Sequence, residues 1–66
     1  MEITLNGQNK TIQGAVDLQT LIQKFCKGTQ NVIVEVNGTV VRSPQWPQRI
    51  LQHGDRVELV KLVGGG

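Results

Sequence analysis

One stretch of this 66-residue chain carries its apolar residues at helical spacing, and any fold the chain adopts has to cover it. Leu18, Leu21, Ile22 and Phe25 fall on a single stripe, with Gln19, Gln23, Lys24 and Lys27 elsewhere around the cylinder. Asp17 is placed as the N-cap, where its carboxylate can accept from the backbone amides of the next turn. Val16 just before it and Leu21 one turn on are spaced for a hydrophobic staple. Lys24 and Lys27 suit the negative end of the helix dipole, and Gly28 stands where a helix hands over to a loop. The stripe is core, and other elements must bury it.

Those other elements are strands. Residues 2–6 alternate, with Ile3 and Leu5 on one face and Glu2, Thr4 and Asn6 on the other. Asn6-Gly7 is a tight-hairpin signal, because both residues tolerate positive φ. The return strand spans residues 8–12, and Gly14 ends it. After a loop at residues 29–31, Val32-Ile33-Val34-Glu35-Val36 is β-branched and reads as a central strand. Glu35 belongs in solvent, which sends Val34 and Val36 inward and leaves Ile33 on the outer face. Asn37-Gly38 repeats the hairpin signal before a short strand through Val40 and Val41.

Two prolines keep residues 43–47 out of any central strand. A connector with a turn or two of helix over residues 45–50 is expected, anchored by Trp46, Ile50 and Leu51. His53-Gly54-Asp55 turns the chain into the last strand. One main helix across a mixed sheet of four or five strands is an α+β architecture. With the first and last strands side by side in parallel, it is the β-grasp. The expected organisation is one domain over residues 1–63 and a flexible tail at residues 64–66.

Composition removes several function classes. So short a chain buries only ~60% of its unfolded surface, too little to build a deep catalytic cavity. No run approaches the ~20 apolar residues of a membrane span. The N-terminal residues lack the basic start and apolar stretch of a signal peptide, so a cytoplasmic location is expected. The lone Cys26, late in the helix, reads as a half-buried small apolar residue. The seven basic residues are scattered and the two aromatics, Phe25 and Trp46, offer no stacking platform, so nucleic acid is not an expected partner. His53 and Ser43 lack an evident catalytic neighbour. Asp55, the carboxylate closest to His53, is equally well explained as a turn residue. No cluster has metal-ligand spacing.

The end of the chain gives a different signal. Residues 56–63 read as a strand, and Gly64, Gly65 and Gly66 follow. Without a Cβ, these glycines can thread a channel too narrow for side chains, and the carbonyl of Gly66 is unhindered. Taken alone they are equally a frayed end. Parity in the strand tips the balance. Val57 and Leu59 go inward, so Glu58, Val60 and Leu62 face out, and Ile33 shares that face. Single exposed apolar residues are ordinary, but several beside a tail read as a docking patch.

Residues 40–59 carry a resemblance. Trp46, then Ile50-Leu51, then Gly54-Asp55 ahead of the last strand resemble the pattern of the ThiS-type sulfur carriers of thiamine biosynthesis, small ubiquitin-like β-grasp proteins. The likeness extends over essentially the whole chain, and Gly65-Gly66 is common to all such carriers. The chain departs from the family at His53, where an acidic residue is frequent, and in its third terminal glycine. The resemblance implies a carrier with no catalysis and no bound cofactor of its own. ATP and magnesium would belong to a ThiF-like adenylating partner akin to ubiquitin-activating enzymes. That enzyme would convert the Gly66 carboxylate to an acyl-adenylate, and a cysteine desulfurase or persulfide donor would supply sulfur. The Gly66 thiocarboxylate would then serve a ThiG-like thiazole synthase. Two neighbouring functions share the tail chemistry: a carrier for molybdopterin synthase, usually longer and without the Trp46 pattern, and a protein modifier joined through Gly66. A pure interaction domain is the remaining alternative.

Overall fold

Within residues 1–26 and 31–61, which the computed structural model describes, the chain forms five strands and one α-helix. They are β1 (Glu2–Leu5), β2 (Gln8–Thr11), helix α1 (Leu18–Phe25), β3 (Val32–Val36), β4 (Thr39–Val40) and β5 (Arg56–Lys61), with a 3-10 helix over Ser43–Gln48 between the last two. The strands make one sheet in the order β2-β1-β5-β3-β4. β1 and β5 pair in parallel at its centre, with Leu5 opposite Val57, and every other pair is antiparallel. This mixed sheet crossed by one main helix is the β-grasp.

Both Asn-Gly pairs turn as expected. Asn6 and Gly7 have φ of 50° and 82°, and Asn37 and Gly38 have 54° and 84°. A turn with two positive φ angles matches the twist of the strands it joins. The core lies between α1 and the inner sheet face. Leu18, Leu21 and Ile22 of the helix meet Ile3, Leu5, Val34, Val36 and Val57 of the sheet, and Ile12, Trp46 and Leu51 close the sides. The half-buried Val16 and Cys26 pack against this cluster.

Helix α1 starts where its cap predicts. Asp17 accepts from the backbone N–H of Thr20 at 3.0 Å and from its hydroxyl at 2.7 Å. The Leu18 N–H, an orphan donor at a helix start, reaches the carbonyl of Arg49 at 2.8 Å. The carboxyl of Asp17 titrates below its ordinary value, chiefly because of the Thr20 hydroxyl. At the other end the helix stops at Phe25, and Cys26 is already extended. The positions expected to end it, Lys27 and Gly28, lie outside the described residues.

Two core assignments need correction. Phe25 is 40% exposed, although it continues the apolar stripe. It is the last helical residue and lies beside the edge strand, where the ammonium groups of Lys10 and Lys24 stand 5.4 and 5.7 Å from its ring centroid. Ile50 is 49% exposed and does not anchor the connector. The 3-10 helix ends at Gln48, and Ile50 bridges Asp17 in extended conformation, so the side-chain period there is two. Leu51 therefore goes in and Ile50 goes out. β4 is also one residue shorter than expected, although the Val41 N–H still reaches the carbonyl of Val34 at 2.9 Å.

Trp46 holds the connector. Its ring is buried, and its indole N–H donates to the Val41 carbonyl at 2.8 Å, so the one polar atom of the side chain is paired. Replacing a buried aromatic with alanine leaves a cavity, and Trp46→Ala is expected to cost about 3–5 kcal/mol in urea unfolding. A loss below about 1 kcal/mol would show that the connector is held without the ring.

Candidate functional site

The strand that runs toward the terminal glycines is the most thoroughly gripped part of the sheet. Just before it stands Asp55, whose side chain is buried although charged. One carboxylate oxygen accepts from the Asn37 amide at 3.0 Å, and the other from the Gln52 backbone N–H at 2.8 Å, with the Arg49 guanidinium 3.4 Å away. Burial alone would raise the pKa of this carboxyl. The bond from Gln52 first, then Asn37 and Arg49, outweigh it and hold the group below its ordinary value. The Asp55 carbonyl in turn accepts from Thr4 at 2.9 Å, which starts the parallel pairing with β1.

From there β5 is held on both flanks by the two hairpin asparagines. Asn37 donates its N–H to the Arg56 carbonyl at 2.8 Å, and its side-chain oxygen accepts the Arg56 N–H at 2.9 Å. Asn6 donates its N–H to the Val57 carbonyl at 2.9 Å, and its side-chain oxygen accepts the Leu59 N–H at 2.8 Å. Positive φ and a short amide thus do two tasks at each Asn-Gly turn: they reverse the chain and bind the central strand.

The outer face of β5 is as parity predicts. Val57 is buried and Leu59 half-buried, while Glu58 and Val60 are exposed, Val60 by 48%. Ile33, 40% exposed, stands directly opposite Val60. Glu58 stands directly opposite Glu35, and Val40 flanks Glu35 on the other side. The face thus sets an apolar pair beside two carboxylates, and neither carboxylate has a hydrogen bond or ion pair with another described residue. Like charges opposite one another in a ladder are mildly destabilising. Glu35 was expected in solvent and shares this face with Ile33; Val40 was not singled out for it, and its register opposite Glu35 places it there. Leu62, Gly64, Gly65 and Gly66 lie outside the described residues.

His53 accepts the Glu2 backbone N–H at its Nδ1, 3.0 Å away, which ties the turn to the start of β1. Among the described residues, no three of His, Cys, Asp or Glu come together as metal ligands would. No helix among them is long and apolar enough to cross a membrane.

A carboxylate whose folded pKa is depressed contributes stability above its unfolded pKa of ~3.9, and that contribution fades as pH falls through the folded value. Asp55→Asn is accordingly expected to cost about 2–3 kcal/mol at pH 7 and progressively less as the solution is taken below pH ~4. Urea unfolding of both proteins across that range is the measurement. A gap of constant size would show that the ionised form of Asp55 contributes nothing of its own.

The model of the ThiS family matches residues 3–66 of the chain. The sulfur carrier protein ThiS of Escherichia coli is 26% identical over the full length of both chains. A thiazole synthase of Magnetococcus marinus is 32% identical over the whole of this chain, which spans only 20% of that protein. Among solved structures, the thiamine biosynthesis protein ThiS of Geobacter metallireducens superposes with a TM-score of 0.85 at 29% identity, covering all of both chains.

Proposed function

Since the chain belongs to the ThiS family, we propose that it carries sulfur for thiazole formation in thiamine biosynthesis, with the Gly66 carboxylate as the attachment point. The supporting observation is the course of β5: a strand fixed at its start by Asp55 and by both hairpins leads into a terminal run of glycines. The name of the Escherichia coli relative points the same way. A second line of support concerns the acceptor. A protein named thiazole synthase contains a stretch similar to this entire chain, as it would if carrier and acceptor act together.

The chemistry follows from what a carboxylate lacks. It repels nucleophiles and has no good leaving group, so it must first attack the α-phosphorus of ATP, release pyrophosphate and become an acyl-adenylate. The terminal sulfur of a persulfide, supplied by a cysteine desulfurase or similar donor, displaces AMP. A thiol then cleaves the S–S bond and leaves a Gly66 thiocarboxylate, whose sulfur passes to a thiazole synthase. ATP and magnesium belong to the adenylating partner. The chain itself catalyses nothing, and Gly64 and Gly65 supply the slender arm that enters the partner's site. A cytoplasmic location, where ATP is available, accords with this scheme.

Docking falls to the outer face: Ile33, Glu58, Val60 and, beyond the described residues, Leu62. A partner with an apolar surface and a cation near Glu35 and Glu58 would bury the first pair and relieve the repulsion of the second.

Two experiments test the proposal. Incubation with a ThiF-like enzyme, ATP and a persulfide donor, followed by intact-mass measurement, should show the gain from exchanging one oxygen for sulfur. Deletion of Gly65 and Gly66 should abolish that gain with thermal stability unchanged. Conjugation to a target protein would instead make the chain a modifier, and no mass change would leave it an interaction domain. The variant Val60→Asp should shift stability by less than about 0.5 kcal/mol, as exposed substitutions do. It should weaken binding to the adenylating enzyme at least tenfold, about 1.4 kcal/mol, in titration calorimetry. Unchanged affinity would take this face out of the interface.

A further inference from the structure

We propose that the free edge of β2, with Phe25 and two lysines beside it, docks an extended acidic segment of another protein. The inference is independent of the sulfur-carrier reading, and the surface lies on the far side of β1 from β5.

The backbone supplies the first half of the argument. β2 is the outermost strand of the sheet and pairs with β1 alone. Met1 and Ile12 exchange both main-chain bonds, each at 2.8 Å, so the main-chain groups of Ile12 turn toward β1. Alternation turns those of Lys10 and Gln8 the same way, and those of Asn9 and Thr11 outward. The two outward residues offer two N–H donors and two carbonyls, and no main-chain bond to a described residue occupies them. Groups at that spacing fit the main chain of an added strand. The edge is unblocked, since β2 contains no proline and keeps regular register with β1 through all four residues.

The side chains supply the second half. Lys10 lies opposite Ile3, which is buried in the core, so Lys10 stands on the helix side of the sheet. From there its ammonium group comes within 5.4 Å of the Phe25 ring centroid, and that of Lys24 within 5.7 Å. Phe25, 40% exposed, is thus an apolar surface flanked by two cations. At an exposed site the attraction of a ring for a cation is modest and leaves each ammonium group open to a carboxylate. Neither lysine has one among the described residues, where Arg49 and Asp55 form the one salt bridge. An added strand with an aliphatic side chain on Phe25 and a carboxylate to either side would satisfy main chain, ring and both ammonium groups together. Residues on one face of a strand recur at every second position, so the fitting pattern is acidic, apolar, acidic at i, i+2 and i+4.

A second copy does not meet that pattern. β2 reads Gln8-Asn9-Lys10-Thr11, without a carboxylate, and joining two such edges would set both Lys10 side chains on one face of the extended sheet. A lysine on an edge strand opposes self-pairing in this way. The occupant is a different, acidic chain.

The probe is the peptide acetyl-Glu-Thr-Val-Thr-Glu-amide, titrated into the full chain and followed by amide NMR. Saturating shifts are expected at Asn9, Lys10, Thr11 and Phe25, with a Kd of about 1 mM or tighter. At saturation the Asn9 and Thr11 amides should exchange about fivefold more slowly, as for the gain of one hydrogen bond each. Lys10→Gln and Lys24→Gln should each weaken binding about threefold, the size of an exposed ion pair, with the remaining spectrum unchanged. A peptide with lysine in place of both glutamates should not bind. The absence of shifts would overturn the proposal, as would shifts centred on Ile33 and Val60. Equal binding by the lysine peptide would overturn the acidic partner. Undiminished binding by an N-methylated form of the probe would overturn strand addition. Concentration-dependent shifts at Asn9 and Thr11 without any peptide would assign the edge to a second copy instead.

Discussion

The buried carboxylate of Asp55 is the interaction on which the rest of the structure depends. With only 6% of its surface exposed, it must find partners inside the protein, since an unpaired buried charge is far too costly to keep. Its partners come from three directions: the turn at Gln52, the connector at Arg49 and the hairpin at Asn37. Its main-chain carbonyl meets Thr4 of the first strand. One residue thereby joins β1 and the β3–β4 hairpin, on either side of the central strand, to the connector that leads into it. Arg49 also offers its carbonyl to the first N–H of the helix, so the same neighbourhood sets where α1 begins.

Seen from that fixed point, β5 changes character along its length. Its first residues have neighbours on both sides and a side chain, Val57, in the centre of the core. Its last described residues have β3 on one side and expose Val60. Lateral pairing thins along the described part of β5 in the direction in which the carrier chemistry is proposed to lie. Such a gradient suits a protein whose body is to be recognised and whose end is to be handed into another protein's site. The facing Glu35 and Glu58 fit that division, because charges that repel within the free chain can be tolerated where a partner is to supply the opposite sign.

Much of this was legible in the residues themselves. The stripe of Leu18, Leu21 and Ile22, the cap at Asp17, the two Asn-Gly turns and the parity of β3 and β5 all depend on spacing, and spacing is local. The exposed face of Ile33, Glu58 and Val60 follows from the same parity. What escaped depends on where an element ends or on partners far along the chain. Ile50 was assigned inward on helical spacing, and the earlier end of the 3-10 helix at Gln48 converts that spacing to the alternation of an extended chain. Phe25 continues the stripe but sits in the last turn at the margin of the sheet, where lysines cover it in place of core. Asp55 looked like a turn residue because its immediate neighbours are turn residues. Its amide partner Asn37 lies 18 positions away, beyond the reach of any local pattern. The second function of Asn6 is hidden similarly, across 53 positions to Leu59. An asparagine in the first turn position, beside a strand that must pass it, is the signal that could have revealed both.

The parallel pairing of β1 with β5 also governs how the protein comes into being on the ribosome. Among the described elements β1 is made before all the others and its partner β5 after them, and the core stays open until Val57 arrives. A product whose synthesis stops anywhere before β5 lacks both the central strand and the carboxylate that locks it. Such a fragment exposes Ile3, Leu5 and the helix stripe, and cellular proteases clear chains of that kind. Completion of the fold thus certifies that translation reached the strand from which the glycines extend. A carrier docking through β5 would gain from that arrangement, because copies that stop before this strand would not persist to occupy its partners.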